Sequence, residues 1–282
     1  MANIGATTAF YKVETSLTRA NSEVSKSMER LATGRQNANA GDRSSYVAMA
    51  DTIRLDYVGT KAGIKSASVV MGYLETGMRV LDAASSLLAR LQELAVLGAN
   101  ETNTTADAAA INAEAEAIGD EFDRLLSDAK YKGKAVFVGS SAGSEYVSLG
   151  GRDAEMTFGI ATISYTELHD GNNNSDTDLA HLASAGASSA TNTLTEDIEA
   201  VQKKVNTARV QAGSQYAALE SAVNYTTDLT AQYELGYNTV NDVNFSMETA
   251  HLAKNQILQQ AATAMLAQAN QGQQGLLQLI QG

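Results

Sequence analysis

Between Leu194 and Tyr233, positions four and three residues apart recur without a slip: Leu194, Ile198, Val201, Val205, Ala208, Ala212, Gln215, Leu219, Ala222, Thr226, Leu229 and Tyr233. Nearly all are apolar or small. Spacing of this kind, held over so many turns, predicts a long helix lying along a partner, as in a coiled coil, rather than a short helix in a globular core. Nothing in the composition interrupts it. The 282-residue chain has no proline, whose ring would remove a backbone donor and clash with the preceding turn.

The same pattern marks the rest of the chain. Phe10, Leu17, Val24 and Leu31 recur every seven residues near the start, with Val13, Ala20 and Met28 between them. Arg30 falls in the last turn of that helix, and Gly34 reads as a left-handed stop. A polar linker, 34–45, leads to a second helix over about 45–99 with the stripe Ile64, Ala67, Met71, Leu74, Met78, Leu81, Ser85 and Leu88. Gly59, Gly63, Gly72 and Gly77 interrupt that helix chemically, each weakening it by ~1 kcal/mol relative to Ala. Because the periodicity passes through them, they read as points of close packing. A turn at 100–105, with Thr104 or Thr105 as cap, opens a third helix that carries Ile111, Ala115, Ile118, Phe122, Leu125 and Ala129 and stops at Lys130–Gly133.

From Lys134 to about Ile163 the pattern changes to short β-prone runs between Gly- and Ser-rich turns, predicting one or two hairpins. A polar loop is expected over 169–189. After the long heptad helix and a polar patch at 238–244, a last helix carries Leu258, Ala262, Met265, Ala269, Gly272, Leu276 and Leu279. Leu266, Leu277 and Ile280 make its apolar face wider than one seam. The expected fold is mainly α: a long antiparallel helical bundle of N- and C-terminal segments, first helix against last and second against penultimate, with a small central β-hairpin region.

Energy separates a tail from an assembly element. Ordering the backbone costs ~1–2 kcal/mol per residue, and each fully buried large apolar side chain returns ~1.5–3 kcal/mol. The first helix has few such residues, and one partner helix buries them incompletely. The terminal pair is therefore marginal alone: both termini are expected to be largely disordered in the monomer and to fold when subunits stack head to tail, a contact that builds a helical polymer if its rotation does not close. The expected assembly residues are Phe10, Leu17, Val24, Leu31, Leu258, Met265, Leu266, Leu276, Leu279 and Ile280.

Several chemistries find no support. The 32 acidic against 20 basic residues give a formal net charge of −12, which repels phosphate backbones, so no nucleic-acid partner is expected. Without cysteine there are no disulfides or thiolate metal sites. His169, His181 and His251 are dispersed and form no HExxH pair. Asp170, Asn172, Asn174, Asp176 and Asp178 alternate like a calcium loop, but Ser175 stands at the glycine position and His181 at the bidentate glutamate position. Gly150-Gly151 lacks a phosphate-loop context and reads as a hairpin turn, while Glu114/Glu116 and Asp120/Glu121/Asp123 read as solvated helix faces. No enzyme activity, cofactor, metal or membrane insertion is expected. The start, Met1-Ala2-Asn3-Ile4-Gly5, has no basic segment followed by an apolar run, so a cleavable secretory signal is not expected.

Several strings in order resemble bacterial flagellin. Ser27-Met28-Glu29-Arg30-Leu31-Ala32-Thr33-Gly34 is similar to the family's SMERLSSG signature. Gln92-Glu93-Leu94-Ala95-Val96 with Ala99-Asn100 resembles its RELAVQAAN segment, and Tyr131-Lys132-Gly133-Lys134 its F-N-G-K turn. The strongest match is C-terminal: Met247-Glu248-Thr249-Ala250, Gln256-Ile257-Leu258-Gln259-Gln260-Ala261 and Leu266-Ala267-Gln268-Ala269-Asn270. The stretch Gln36 to Tyr46 departs from the family's R-I-N-x-A-x-D-D-A-A-G pattern, keeping only Ala40 and Asp42.

The resemblance implies a structural subunit of the flagellar filament, polymerising through its terminal helices for motility. It implies an inner filament-core domain of residues 1–44 and 240–282, and an outer rod of 45–239 with a β-rich segment at 131–168. No large variable outer domain is expected, because the middle segment is short. Secretion through the flagellar type III apparatus would account for the missing signal, with an export chaperone, cap and hook-junction proteins as partners beside the homopolymer itself. Some members are sensed by a Toll-like receptor; Arg90, Leu94 and Glu114 fall at matching positions, whereas Ala89 and Gln92 differ. Two other readings stay open on the residues alone: a hook–filament junction protein, and an unrelated coiled-coil adhesin or secretion tip.

Overall fold

The computed structural model describes residues 3–39, 41, 43–138, 143–150, 154–165, 168 and 188–281, and the backbone alone at 3–9, 188–194, 273 and 275–281. Among these residues lie five α-helices: α1 (Asn3–Thr33), α2 (Ser44–Gly98), α3 (Thr105–Ser127), α4 (Ser188–Asn241) and α5 (Phe245–Gln281). Between α3 and α4 lie β1 (Lys130–Tyr131), β2 (Lys134–Ala135), β3 (Glu145–Ser148) and β4 (Glu155–Phe158), paired as two antiparallel hairpins. The expected mainly helical fold with a small central β region is the one found. Contacts divide the chain into two units, residues 1–57 with 231–282 and residues 58–230, the divisions falling inside α2 and α4.

The heptad residues of the second unit do what their spacing implies. Ile198, Val201, Val205, Ala208, Ala212, Leu219 and Thr226 of α4 are buried. All but Thr226 share a core with Leu74, Leu81, Leu88, Leu91 and Leu94 of α2 and with Ile111, Phe122 and Leu126 of α3. Polar cross-links fix the register of α2 against α4: Gln202 Nε2 donates to Ser85 Oγ at 3.0 Å, Thr230 Oγ1 to Thr60 Oγ1 at 2.9 Å, and Arg209 pairs with Asp82 at 2.6 Å. Thr104 caps α3 in a reciprocal box, its hydroxyl accepting from Asp107 N at 3.3 Å while its own N–H donates to the Asp107 carboxylate at 2.9 Å.

The glycines of α2 are the docking points for the β segment. A Cβ at Gly59 would stand 2.7 Å from the carbonyl oxygen of Gly150, and one at Gly63 would collide with the Leu149 carbonyl and lie 2.7 Å from Gly150 N. The end of β3 thus rests on the α2 backbone itself. Gly72 admits the Tyr131 hydroxyl, which a Cβ there would meet at 2.8 Å, and Gly77 receives Ile160 and Val136. Between those glycines, buried Tyr73 donates its hydroxyl to the Val136 carbonyl at 2.5 Å and meets Phe158 edge to face at 5.5 Å.

Two boundaries differ from the sequence reading. Lys132 (φ 52°) and Gly133 (φ 82°) close the β1–β2 hairpin rather than end α3, which stops at Ser127. Two successive left-handed residues match the twist of paired strands, which a simple helix stop does not require. The long helix α4 begins at Ser188 and runs to Asn241, so Ser188 and Ser189 are helical and the polar break before α5 narrows to 242–244. Gly151, His169, His181 and the calcium-like alternation at 170–178 lie outside the described residues.

Candidate assembly surface

In the first unit α1 packs on α5, first helix against last as expected. The α1 seam is Phe10, Val13, Leu17, Val24 and Leu31, all half-buried, around buried Ala20 and Ser27. On α5 it is Leu252, Asn255, Gln259, Leu266 and Ala269 around buried Ala262. Small residues at the closest points let the backbones approach, while flanking polar groups keep the seam only partly dry. Where α1 ends, Gly34 adopts φ +70° and its carbonyl accepts from Val243 N at 3.0 Å; Gln36 N donates to Asn241 O at 2.7 Å. The backbone bonds thus tie the residues after α1 to the junction of α4 and α5, and Arg30 reaches across to Glu248, 3.8 Å apart, tying the last turn of α1 to the start of α5.

The structure divides the expected assembly residues. Phe10, Leu17, Val24, Leu31 and Leu266 lie in the α1–α5 seam of the single chain. Leu258 and Met265 do not; they are 49% and 51% exposed. The sequence stripe placed them in line with Ala262 and Ala269, but the line that docks on α1 is rotated one position, through 259, 262, 266 and 269. Leu258 and Met265 instead fall on the flank with Met247, eleven and eighteen residues along from it and so on one helical line. Ile257 is also exposed on α5, as are Phe245 at its start and Tyr11 and Met28 on α1. The side chains of Leu276, Leu279 and Ile280 are outside the described ones. A groove of about 560 Å³ lined by Gln259, Gln260, Thr263, Ala264 and Ala267 runs along the side of α5 away from Met265.

The three residues matched to receptor contact separate by burial. Arg90 donates to Glu114 at 2.6 Å and to Glu93 at 2.7 Å on the surface, and the hydrogen bonds, that to Glu114 foremost, raise the guanidinium pKa above its ordinary value. Leu94, 1% exposed, lies in the core, so Arg90 and Glu114 are presented to solvent and the leucine is not. Among the described residues no three His, Cys, Asp or Glu side chains are grouped to hold a metal ion, and none of the helices is long and apolar enough to cross a membrane. His251 is an exposed residue of α5.

Known proteins share this arrangement. The model of the bacterial flagellin N-terminal helical region matches residues 5–142, and that of the C-terminal helical region matches 195–280. A flagellin of Halalkalibacterium halodurans is 26% identical over 257 residues, covering 90% of this chain and 91% of its own. The flagellar filament 33 kDa core protein of Treponema phagedenis is 28% identical over 272 residues, covering 92% and 93%. Among solved structures, one described as a flagellar hook-associated protein of Vibrio parahaemolyticus superposes with a TM-score of 0.61 over 71% of this chain and all of its own, at 12% identity, a likeness of fold. With paired terminal helices, a heptad rod and both helical regions matched over most of its length, the chain belongs to the bacterial flagellin family.

Proposed function

We propose that this flagellin builds its filament through the open flanks of α1 and α5 rather than through the seam that joins them. As a flagellin the chain is a structural subunit of the extracellular flagellar filament and polymerises with its own copies. The observation that carries the finer reading is the line Met247, Leu258 and Met265, exposed on the flank of α5 beside the line that α1 already occupies. A second copy seated on that line would bury side chains each worth ~1.5–3 kcal/mol, the energy that the lone terminal pair lacks. In this reading residues 1–44 and 240–282 form the filament core and 45–239 the outer rod. Export runs through the flagellar type III apparatus, with chaperone, cap and hook-junction proteins as further partners. A Toll-like receptor would meet Arg90 and Glu114, with Leu94 holding the helix beneath them.

Seeded polymerisation in sulfate, which strengthens apolar burial, tests this. The parent chain should give long uniform filaments by electron microscopy, and the double variant Leu258→Ser/Met265→Ser should stay monomeric with unchanged helical circular dichroism. Filaments from the double variant would refute the docking flank. Closed small oligomers from the parent chain, its ends verified intact, would favour a junction protein.

A further inference from the structure

The chain has no cysteine, so methionine is its only sulfur, and the described methionines are unevenly placed. Met28, Met49, Met247 and Met265 are 51–61% exposed, and all four belong to the first unit. Met71, Met78 and Met156 belong to the second, where they are partly buried against its core. Thioether oxidation follows access, so a mild two-electron oxidant meets the terminal-helix unit first and the rod last. None of the four exposed methionines lies in the α1–α5 seam, so their oxidation leaves the monomer's own packing intact. Met247 and Met265 do lie on the flank assigned above to the next subunit.

We propose that Met28, Met247 and Met265 form a reversible oxidation switch on assembly, an inference that rests on that docking flank. Peroxide transfers one oxygen to each sulfur; the thioether becomes a sulfoxide, losing two electrons, and the peroxide is reduced to water. The product is polar and strongly hydrogen-bonding where an apolar side chain must be buried between copies. Oxidised monomers would thus remain folded but excluded from growth. Subunits already in the filament would be protected, because the neighbouring copy covers the sulfur.

The test treats purified monomer, and separately preformed filaments, with hydrogen peroxide and locates the added oxygen by peptide mass mapping. In the monomer Met28, Met247 and Met265 should oxidise before Met71, Met78 and Met156, with helical circular dichroism unchanged. The critical concentration for seeded growth should rise about tenfold or more, the equivalent of one buried polar group left without a partner. The two stereospecific methionine sulfoxide reductases should restore it. A variant carrying Met28→Leu, Met49→Leu, Met247→Leu and Met265→Leu should assemble and ignore peroxide, since the volume is kept. Met247 and Met265 reacting as fast in filaments as in monomers would overturn the docking flank and the switch with it. Protection in filaments combined with an unchanged critical concentration for oxidised monomer would overturn the switch alone, as would peroxide sensitivity of the four-leucine variant.

Discussion

Substituting Gly63 by alanine sets two effects of opposite sign against each other. In an open helix the change stabilises, because alanine is favoured over glycine by about 1 kcal/mol. At Gly63 the new methyl meets the Leu149 carbonyl and stands 2.7 Å from Gly150 N. These are backbone atoms that cannot rotate aside, so the β3–β4 hairpin must lift from α2. Overpacking of that kind costs about 1–3 kcal/mol, and the lift also loosens Val147 and Phe158, the buried side chains of the hairpin itself. With roughly 3 kcal/mol lost and about 1 regained, a net destabilisation of about 2 kcal/mol is expected, or a Tm lower by about 4–8 °C for a unit of this size. Gly213, mid-way along α4, is the internal control: a Cβ there meets nothing within 4 Å, so Gly213→Ala should be more stable by about 1 kcal/mol. Urea unfolding of the two variants beside the parent decides the matter. If G63A is as stable as the parent while G213A gains, the hairpin does not rest on the α2 backbone and the reasoning fails.

Three further outcomes are expected. Tyr73→Phe removes the hydroxyl that donates to Val136 and Ala135 carbonyls and should cost about 1–2 kcal/mol in chemical denaturation. Burial, then the nearby Glu145 charge, raises the Tyr73 pKa, so its contribution is complete below the ordinary phenol value of about 10 and lost as pH rises through the higher folded value; alkaline unfolding should begin later in Y73F relative to its own neutral stability. Thr104→Ala opens the capping box and should cost about 1 kcal/mol at neutral pH. The hydrogen bonds from Thr104 lower the Asp107 pKa, so this contribution is present above the ordinary carboxylate value and disappears as pH falls through the folded one; a thermal-melt series should show the T104A deficit shrinking in acid. Finally, Leu266→Ala should weaken the α1–α5 seam by about 1–2 kcal/mol, below the range for full burial, and speed amide exchange along α1. Leu258→Ser should leave that exchange unchanged in the monomer; equal acceleration by both would mean the two residues share one face.

Much of this molecule was legible in its residues because helical periodicity is local chemistry. The heptads of α4 identify its buried line, from Ile198 to Thr226, because the side chains three and four apart must share a face. Absence of proline and the caps at Gly34 and Thr104 mark the helix ends, and glycines that interrupt propensity without interrupting periodicity announce a close approach to α2. The ordered strings at both ends carried the family. Three things were left to the tertiary structure. An apolar face as wide as that of α5 has two possible docking lines, and only the fit against α1 decided that Ala262 and Leu266 turn inward while Leu258 and Met265 stay open. The turn at Lys132–Gly133 is a helix stop or a hairpin until strands pair across it, and Leu94 is a surface or core residue until α3 and α4 close over it. Periodicity states which residues share a face; which face meets which partner depends on contacts between segments far apart in the chain, and no local pattern encodes those.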